Sequence, residues 1–313
     1  MGIYSQQLPQ LGNRPFITDG GLETILCFQQ HIDLPHFAAY DLLRDQQGYE
    51  RLYDYYTTYT KLAQQYGVGI VLETPTWRAN PDWARLIGDS PETLEQLNRQ
   101  AVKLLEQIRD EYETEHTTVL ISGNLGPRGD GYTPSKLMTE DEAKDYHSTQ
   151  IATFADTNVD MLAALTLNYV DEAIGITRAA QEHDLPVAIS FTVETDGKLP
   201  NGESLQRVIT EVDAATDQGP AYYMINCAHP THFEHLFKAG GDWLQRIRGL
   251  RGNASCLSHA ELDESETLDD GNPVAFGCEL EELRRLSSHL TVLGGCCGTD
   301  HRHIEEVCKH IVH

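Results

Sequence analysis

The chain has 313 residues, with 23 Lys plus Arg against 48 Asp plus Glu, for a formal charge of −25 at pH 7. Binding to nucleic acid or to an anionic membrane surface needs clustered basic side chains, so this charge excludes both from the expected function. Hydrophobic residues make up 40% of the chain, an ordinary globular content, and no apolar run approaches the ~18 residues of a membrane span.

The seven cysteines are Cys27, Cys227, Cys256, Cys278, Cys296, Cys297 and Cys308. An odd count is a poor basis for a disulfide framework. Segment 1–15 has no basic patch leading into an apolar stretch, as a secretory signal would. A cytoplasmic protein with free thiols is therefore expected, in which neighbouring cysteines act as metal ligands or nucleophiles.

In chain order, short β-rich runs alternate with longer amphipathic stretches. The first run, 15–20, ends in Asp19-Gly20-Gly21. The stretch 49–66 then carries Leu52, Tyr55, Tyr56, Tyr59, Leu62, Ala63 and Tyr66 at helical spacing. Run 68–76 leads into Glu73-Thr74-Pro75-Thr76-Trp77, and helix 91–112 opens on the start signal Ser90-Pro91-Glu92. Run 117–126 ends in Gly123-Asn124-Leu125-Gly126. Helix 139–158 begins at Thr139 with Glu142 three residues on, the spacing of a capping box. The pairs 160–168 and 170–183, 186–194 and 204–217, 221–228 and 231–236, 246–254 and 273–288, and 290–298 and 300–312 complete the pattern. Several runs lack polar alternation, as strands buried on both faces do.

Eight strands, each followed by a helix, predict an α/β fold, a single (β/α)8 TIM barrel over 1–313, with long loops at 126–138, 195–203 and 255–272. A doubly wound open sheet would carry a G-x-G-x-x-G turn after its first strand, and none is present.

In a barrel of this kind the C-terminal strand ends form the catalytic face. Asp19, Glu73, Glu194, Asn226, Cys227, Cys296 and Cys297 all fall at such ends. Neighbouring side chains on a regular strand point to opposite faces. Cys296 and Cys297 therefore share a site only where the backbone leaves strand geometry, a freedom that Gly294, Gly295 and Gly298 supply. A third sulfur from Cys227 would make a site suited to Zn2+ with one tetrahedral position open. Spacing alone balances this against buried cysteines acting as small hydrophobes.

The segments DGGLET (19–24), NCAHP (226–230) and GGCCGT (294–299), in this order and at these separations, resemble the homocysteine S-methyltransferase family, over nearly the whole chain. The resemblance implies a (β/α)8 barrel, a catalytic Zn2+ held by Cys227, Cys296 and Cys297, and homocysteine as methyl acceptor. It also implies that Asp19, with the Gly20 and Gly21 backbone, holds the amino-acid end of the acceptor. Members of the family often carry a glutamate at the end of the fourth strand, where this chain has Leu165. Glu194, Glu73 and Asn168 are the candidates to meet the acceptor ammonium instead. The chain has no room for the extra domains of cobalamin-dependent relatives, and it ends soon after Thr299, unlike the longer betaine-using ones. A sulfonium donor, S-methylmethionine or S-adenosylmethionine, is therefore expected, with methionine biosynthesis as the setting. Trp77, Trp83, Tyr222 and Tyr223 are candidates for a cation–π surface toward it, with core or loop packing as the alternative. The expected partners are two small molecules, a thiol acceptor and a methyl donor.

Two other readings stay open. Asp19, Glu73 and Glu194 could serve a carboxylate-based metallohydrolase on the same barrel, which would leave the cysteines unexplained. With Leu165 in place of a glutamate, the chain could also be a zinc- or thiol-binding protein without turnover. His229, His232 and His235 read as structural, with His229 near enough in sequence to Cys227 to support the site. His301 and His303 read as capping residues. The acidic run 261–270 (ELDESETLDD) reads as a solvated loop.

Overall fold

A computed structural model describes residues 2–133, 137–265 and 267–312, with the side chain of residue 263 left aside. The strands are β1 (Phe16–Ile17), β2 (Gly69–Glu73), β3 (Val119–Leu125), β4 (Met161–Leu167), β5 (Val187–Phe191), β6 (Tyr222–Ala228), β7 (Ile247–Gly252) and β8 (Val292–Gly295). They pair in parallel and in sequence order, and β8 returns to β1 to close the barrel. This is the predicted (β/α)8 barrel. Apart from Arg248 in β7, every residue of the eight strands is buried, which is why the runs read as continuous apolar stretches rather than alternating ones.

β1 is shorter than the expected 15–20. It pairs through Phe16↔Gly69 and Ile17↔Ile70 on one side and Phe16↔Val292 and Ile17↔Leu293 on the other. The chain then leaves the ladder toward Asp19.

The outer layer holds α1 (Gln46–Tyr66), α2 (Pro91–Tyr112), α3 (Glu140–Ala155), α4 (Val170–Glu182), α5 (Leu205–Thr216), α6 (Pro230–Ala239), α7 (Pro273–Leu286) and α8 (His301–Ile311). The expected caps are present. The Ser90 hydroxyl accepts from the Thr93 amide, Thr139 and Glu142 form a full capping box, and Asp300 and His303 form another at the start of α8. Several short helical segments escaped the sequence reading, Pro81–Ile87 and His259–Asp263 among them.

The apolar faces of the helices and the outward side chains of the strands make the main core. A second cluster fills the barrel itself, with Phe16, Val71, Leu120, Met161, Ala188, Tyr222, Met224 and Val292 among its members. Leu8 joins it from the N-terminal segment. There the Gln10 amide meets the Met161 sulfur at 3.1 Å and the Thr291 hydroxyl donates to the Gln10 carbonyl at 2.6 Å. One mouth of the barrel is thereby plugged, and chemistry is left to the C-terminal mouth. Tyr222 belongs to this plug, and Tyr223 stacks on Phe191 among the outer side chains with Arg246 over its ring. Both are fully buried. They are core residues, the packing role that the sequence also offered, and neither lines the cavity.

Candidate active site

A cavity of about 460 Å³ opens at the C-terminal mouth, within the size range of small-molecule sites. Of the residues expected in the site, Asp19, Gly20, Gly21, Glu73, Asn226, Cys227, Cys296 and Cys297 all line it, as does Leu165.

Two irregular strand ends bring the sulfurs together. β4 slips register between Ala164 and Leu167, and β6 between Asn226 and Ala228. At the centre of each slip a non-glycine residue takes a left-handed backbone, Thr166 at φ 62° and Cys227 at φ 54°. Such a conformation costs on the order of 1 kcal/mol or more and persists where surrounding bonds over-determine it. Asn226 provides them. Its side-chain oxygen accepts the Thr166 amide at 2.9 Å and the Ser190 hydroxyl at 2.6 Å, and its side-chain nitrogen donates to the Thr166 hydroxyl at 2.8 Å. Asn226 thus ties the two bulges together and aims Cys227.

The cysteine pair sits in a turn. The Thr299 amide donates to the Cys296 carbonyl at 3.1 Å, and Gly298 at the third turn position has φ 80°, as a type II turn requires. The three glycines therefore do different work. Gly298 supplies the backbone angle. Gly294 and Gly295 supply room, because a Cβ on them would lie 1.9 Å from the Thr18 hydroxyl and 2.0 Å from the Thr299 hydroxyl. Gly294→Ala is expected to lower stability by about 1–3 kcal/mol, as overpacking does, read as a fall in the denaturation midpoint. Gly20 and Gly21 are also close-packed, since a Cβ on either would meet the carbonyl of Thr299 or Cys296 at 2.7 or 2.5 Å. The Gly21 amide is already donated to the Thr299 carbonyl at 3.0 Å.

The sulfurs of Cys227, Cys296 and Cys297 lie within 4.8 Å of one another. Thiol hydrogen bonds from Cys296 and Cys297 hold the Cys227 thiol well below its usual range. The same sharing pushes Cys296 up to about 12 and raises Cys297 well above the usual thiol range. With no cation, a second and a third thiolate this close to the first are penalised by repulsion. A dication removes the penalty on the second and third, and three thiolates around Zn2+, each ~2.3 Å away, stand ~3.8 Å apart. The donor set and its compactness fit zinc. The Tyr132 hydroxyl closes over the cluster 3.9 Å from the Cys297 sulfur. Its ring packs on His259 at 4.2 Å between centroids, and His259 bonds the Cys227 carbonyl through Nε2 at 2.5 Å.

Beside the sulfurs, Arg251 of β7 is the electrostatic hub. Its guanidinium pairs with Asp19 at 2.5 Å and with Glu73, and it donates to the Gly295 carbonyl at 3.0 Å. Burial opposes its charge, but Asp19 and the neighbouring Cys296 hold it up. Burial likewise lifts the Asp19 carboxyl, against the pull of Arg251 and of the Tyr55 hydroxyl, which donates at 3.0 Å. Burial raises Glu23 to about 7.

Several expectations need correction. Glu194 does not line the cavity. It sits behind His259, at 3.3 Å from Nδ1, and reaches the site only through that ring. The Asn168 side chain donates to the Asp130 and Gly131 carbonyls and holds the loop after β3. Asp19 and Glu73 share Arg251, so the three carboxylates of the metallohydrolase reading do not converge as ligands. The surface of Trp77 and Trp83 is already occupied by Arg78, whose guanidinium carbon lies 4.2 and 3.8 Å from their ring centroids. His229 caps α6 and pairs with Glu279 outside the cavity. The run 261–270 is not simply solvated. Leu262, Ser265, Thr267, Leu268 and Asp269 line the cavity, with residue 266 outside the described residues.

Sequence reasoning missed Arg251, Arg78, His259 and the roles of Glu23 and Tyr132. Only Arg251 left a readable signal, since an arginine inside a parallel strand is a charge that must be paired.

A family model described as homocysteine S-methyltransferase matches residues 16–311. The chain belongs to that family. Betaine–homocysteine S-methyltransferase 1 of Rattus norvegicus is 25% identical over 236 residues, 69% of this chain and 54% of that protein. The Danio rerio protein of the same name is 24% identical over 262 residues, 77% of this chain and 61% of that protein. The chain thus spans about half the length of the curated relatives it matches. Among solved structures, the metallated form of the homocysteine methyltransferase MmuM from Escherichia coli aligns with a TM-score of 0.70 at 15% identity, over 95% of this chain and 96% of that one. Its oxidized form gives 0.71 at 18%, over 96% and 97%. At such identity the likeness is one of fold. No helix among the described residues is long and apolar enough to cross a membrane.

Proposed function

We propose that this family member is a zinc-dependent S-methyltransferase that moves a methyl group from a cationic donor to a thiol, homocysteine being the acceptor and methionine the product. The observation that carries the reading is the three-sulfur cluster in the cavity, built by two strained strand ends and a glycine turn. Bound zinc would keep the acceptor sulfur deprotonated at neutral pH, where a free thiol of pKa ~8.5 is mostly protonated. Cys227, Cys296 and Cys297 would hold it. Their three charges exceed the dication's two, so the acceptor sulfur would be bound loosely and stay nucleophilic.

The remaining work falls to this chain's own residues. Asn226 fixes Cys227 through the paired bulges, Tyr132 and His259 cover the sulfurs, and Arg251 holds Asp19 and Glu73 in place. In the transfer, a sulfur–carbon bond forms to the acceptor while the donor's bond to the same methyl breaks. The donor leaves neutral and the acceptor's thiol proton goes to solvent. Charge is cancelled along that path, so a closed site that orients both partners favours it.

The donor is proposed to be a sulfonium, S-methylmethionine or S-adenosylmethionine; the betaine named in the curated relatives is the third arm of the test. The test incubates reduced, zinc-loaded protein with a panel of thiols and each of the three donors. Methionine is expected from homocysteine with one sulfonium donor. Protein that holds no stoichiometric zinc and methylates no thiol would sink the reading.

A further inference from the structure

The cavity holds two charges that the fold leaves unspent. Among its acids, Asp19 and Glu73 grip Arg251. Asp130 accepts from the Tyr132 and Thr133 amides, and Asp269 accepts from the Ser255 hydroxyl and the Gly271 amide. Glu23 is different. It lines the cavity with nothing among the described residues on its carboxylate except its own backbone N–H. Arg78 is its positive counterpart. It lines the same cavity, forms no ion pair among the described residues, and donates one guanidinium N–H to the Gly129 carbonyl at 3.2 Å. Its Nε is buried without a partner. The tryptophans on its faces leave the in-plane donors free, the geometry that meets a planar carboxylate. Burial lowers Arg78 to about 10 against the charges of Asp130 and, more weakly, Tyr132 and Glu23, and Arg78 and Glu23 form no ion pair with each other. Leaving two half-buried opposite charges unpaired costs stability, and a ligand that bears both complementary charges recovers it.

We propose that Glu23 and Arg78 together read an α-amino-acid head group, Glu23 taking the ammonium and Arg78 the carboxylate, beside the three sulfurs. The inference rests on the methyltransferase reading and deepens it, because it names the residues that select amino-acid substrates. The head group can belong to the thiol acceptor or to a sulfonium donor such as S-methylmethionine. Leu165, which also lines the cavity, adds no charge, so recognition of the ammonium falls to Glu23.

Calorimetric titration of the reduced, zinc-loaded protein separates the cases. Homocysteine and S-methylmethionine are titrated into wild type, Glu23→Gln and Arg78→Met. Each variant is expected to weaken at least one of the two amino acids by about 10- to 100-fold, the range for a lost hydrogen bond to a charge, and the ligand affected identifies the substrate that is held. Two truncated thiols guard against a general loss of structure. Glu23→Gln should bind γ-mercaptobutyrate, which lacks the ammonium, as wild type does, and Arg78→Met should do so for the matching aminopropanethiol, which lacks the carboxylate. Binding of both amino acids within twofold of wild type in both variants overturns the assignment. So does an equal loss of the truncated thiols. If wild type methylates homocysteine while the variants bind normally, only the head-group assignment falls. If wild type binds neither amino acid and methylates no thiol, the methyltransferase reading falls with it.

Discussion

Cys296→Ser is expected to strip the protein of metal and to lower methyl transfer by more than about 100-fold, a loss at least as large as removing a side chain that merely supports a metal ligand. The reason lies in charge as much as in geometry. Serine matches the thiol in shape, but its hydroxyl is not deprotonated by zinc at neutral pH as a thiol is, so the site loses one of three anionic donors. Cys227 and Cys297 would remain as a two-sulfur site, short of the tetrahedral set that zinc prefers. Metal content of the purified reduced protein by elemental analysis, beside the rate with homocysteine, checks the result. Full zinc occupancy with an unchanged rate would falsify the assignment. The fold should survive, because the Cys296 backbone is held by its own bonds: its amide donates to the Gly252 carbonyl at 2.7 Å and its carbonyl receives the Thr299 amide and hydroxyl.

Arg251→Met is expected to be the most destabilising single change in the site, by about 3–5 kcal/mol, because it leaves two buried carboxylates without their cation. Asp19 and Glu73 are 4% and 3% exposed, so water cannot replace the guanidinium. The loss should depend on pH in a definite direction. Burial already raises the Asp19 carboxyl, and without Arg251 it rises further. A carboxyl whose folded pKa lies above its unfolded one binds more protons in the native state, so stability falls as pH climbs from the unfolded value through the folded one. The deficit is therefore largest at neutral pH and shrinks toward pH 5 as the carboxyls take up protons. Chemical denaturation of both proteins at pH 5 and at pH 7 measures it. A deficit that grew on acidification would show that the arginine does not neutralise these acids.

The barrel was legible because its strands are buried on both faces, and such strands announce themselves as apolar runs between amphipathic helices. The cysteines and Asp19 were legible because the end of a strand is where a barrel keeps its reactive groups. What did not show in the sequence came from outside that register. Glu194 stands at a strand end and still misses the cavity, since His259, from a turn of helix inside a predicted loop, comes between them. Leu262 and Leu268 lie in an acidic run yet line the site, because the long segment after β7 folds back over the mouth. Arg78 belongs to the turn after β2, and its place between two tryptophans depends on the helix Pro81–Ile87, which no periodicity in so short a stretch would reveal. Spacing along the chain predicts elements well, and the contacts made by the loops between them only poorly.

The ring of strands is joined at one point by a strand of two residues, Phe16 and Ile17, paired to β8, so the beginning and end of the barrel meet across nearly the whole length of the chain. Two of the three sulfurs hang on the strand beside that join, and the third on β6. Cys227 is placed by β6 and its neighbours, but the three-sulfur cluster is complete only with β8 seated between β7 and β1, so an intact cluster implies a closed ring. A ligand held across the ends of β6 and β8 binds only the closed ring, and by mass action it stabilises closure. Hydrogen exchange at the amides of Phe16 and Thr18, which reach across to the carbonyls of Thr291 and Leu293, would report that latch directly.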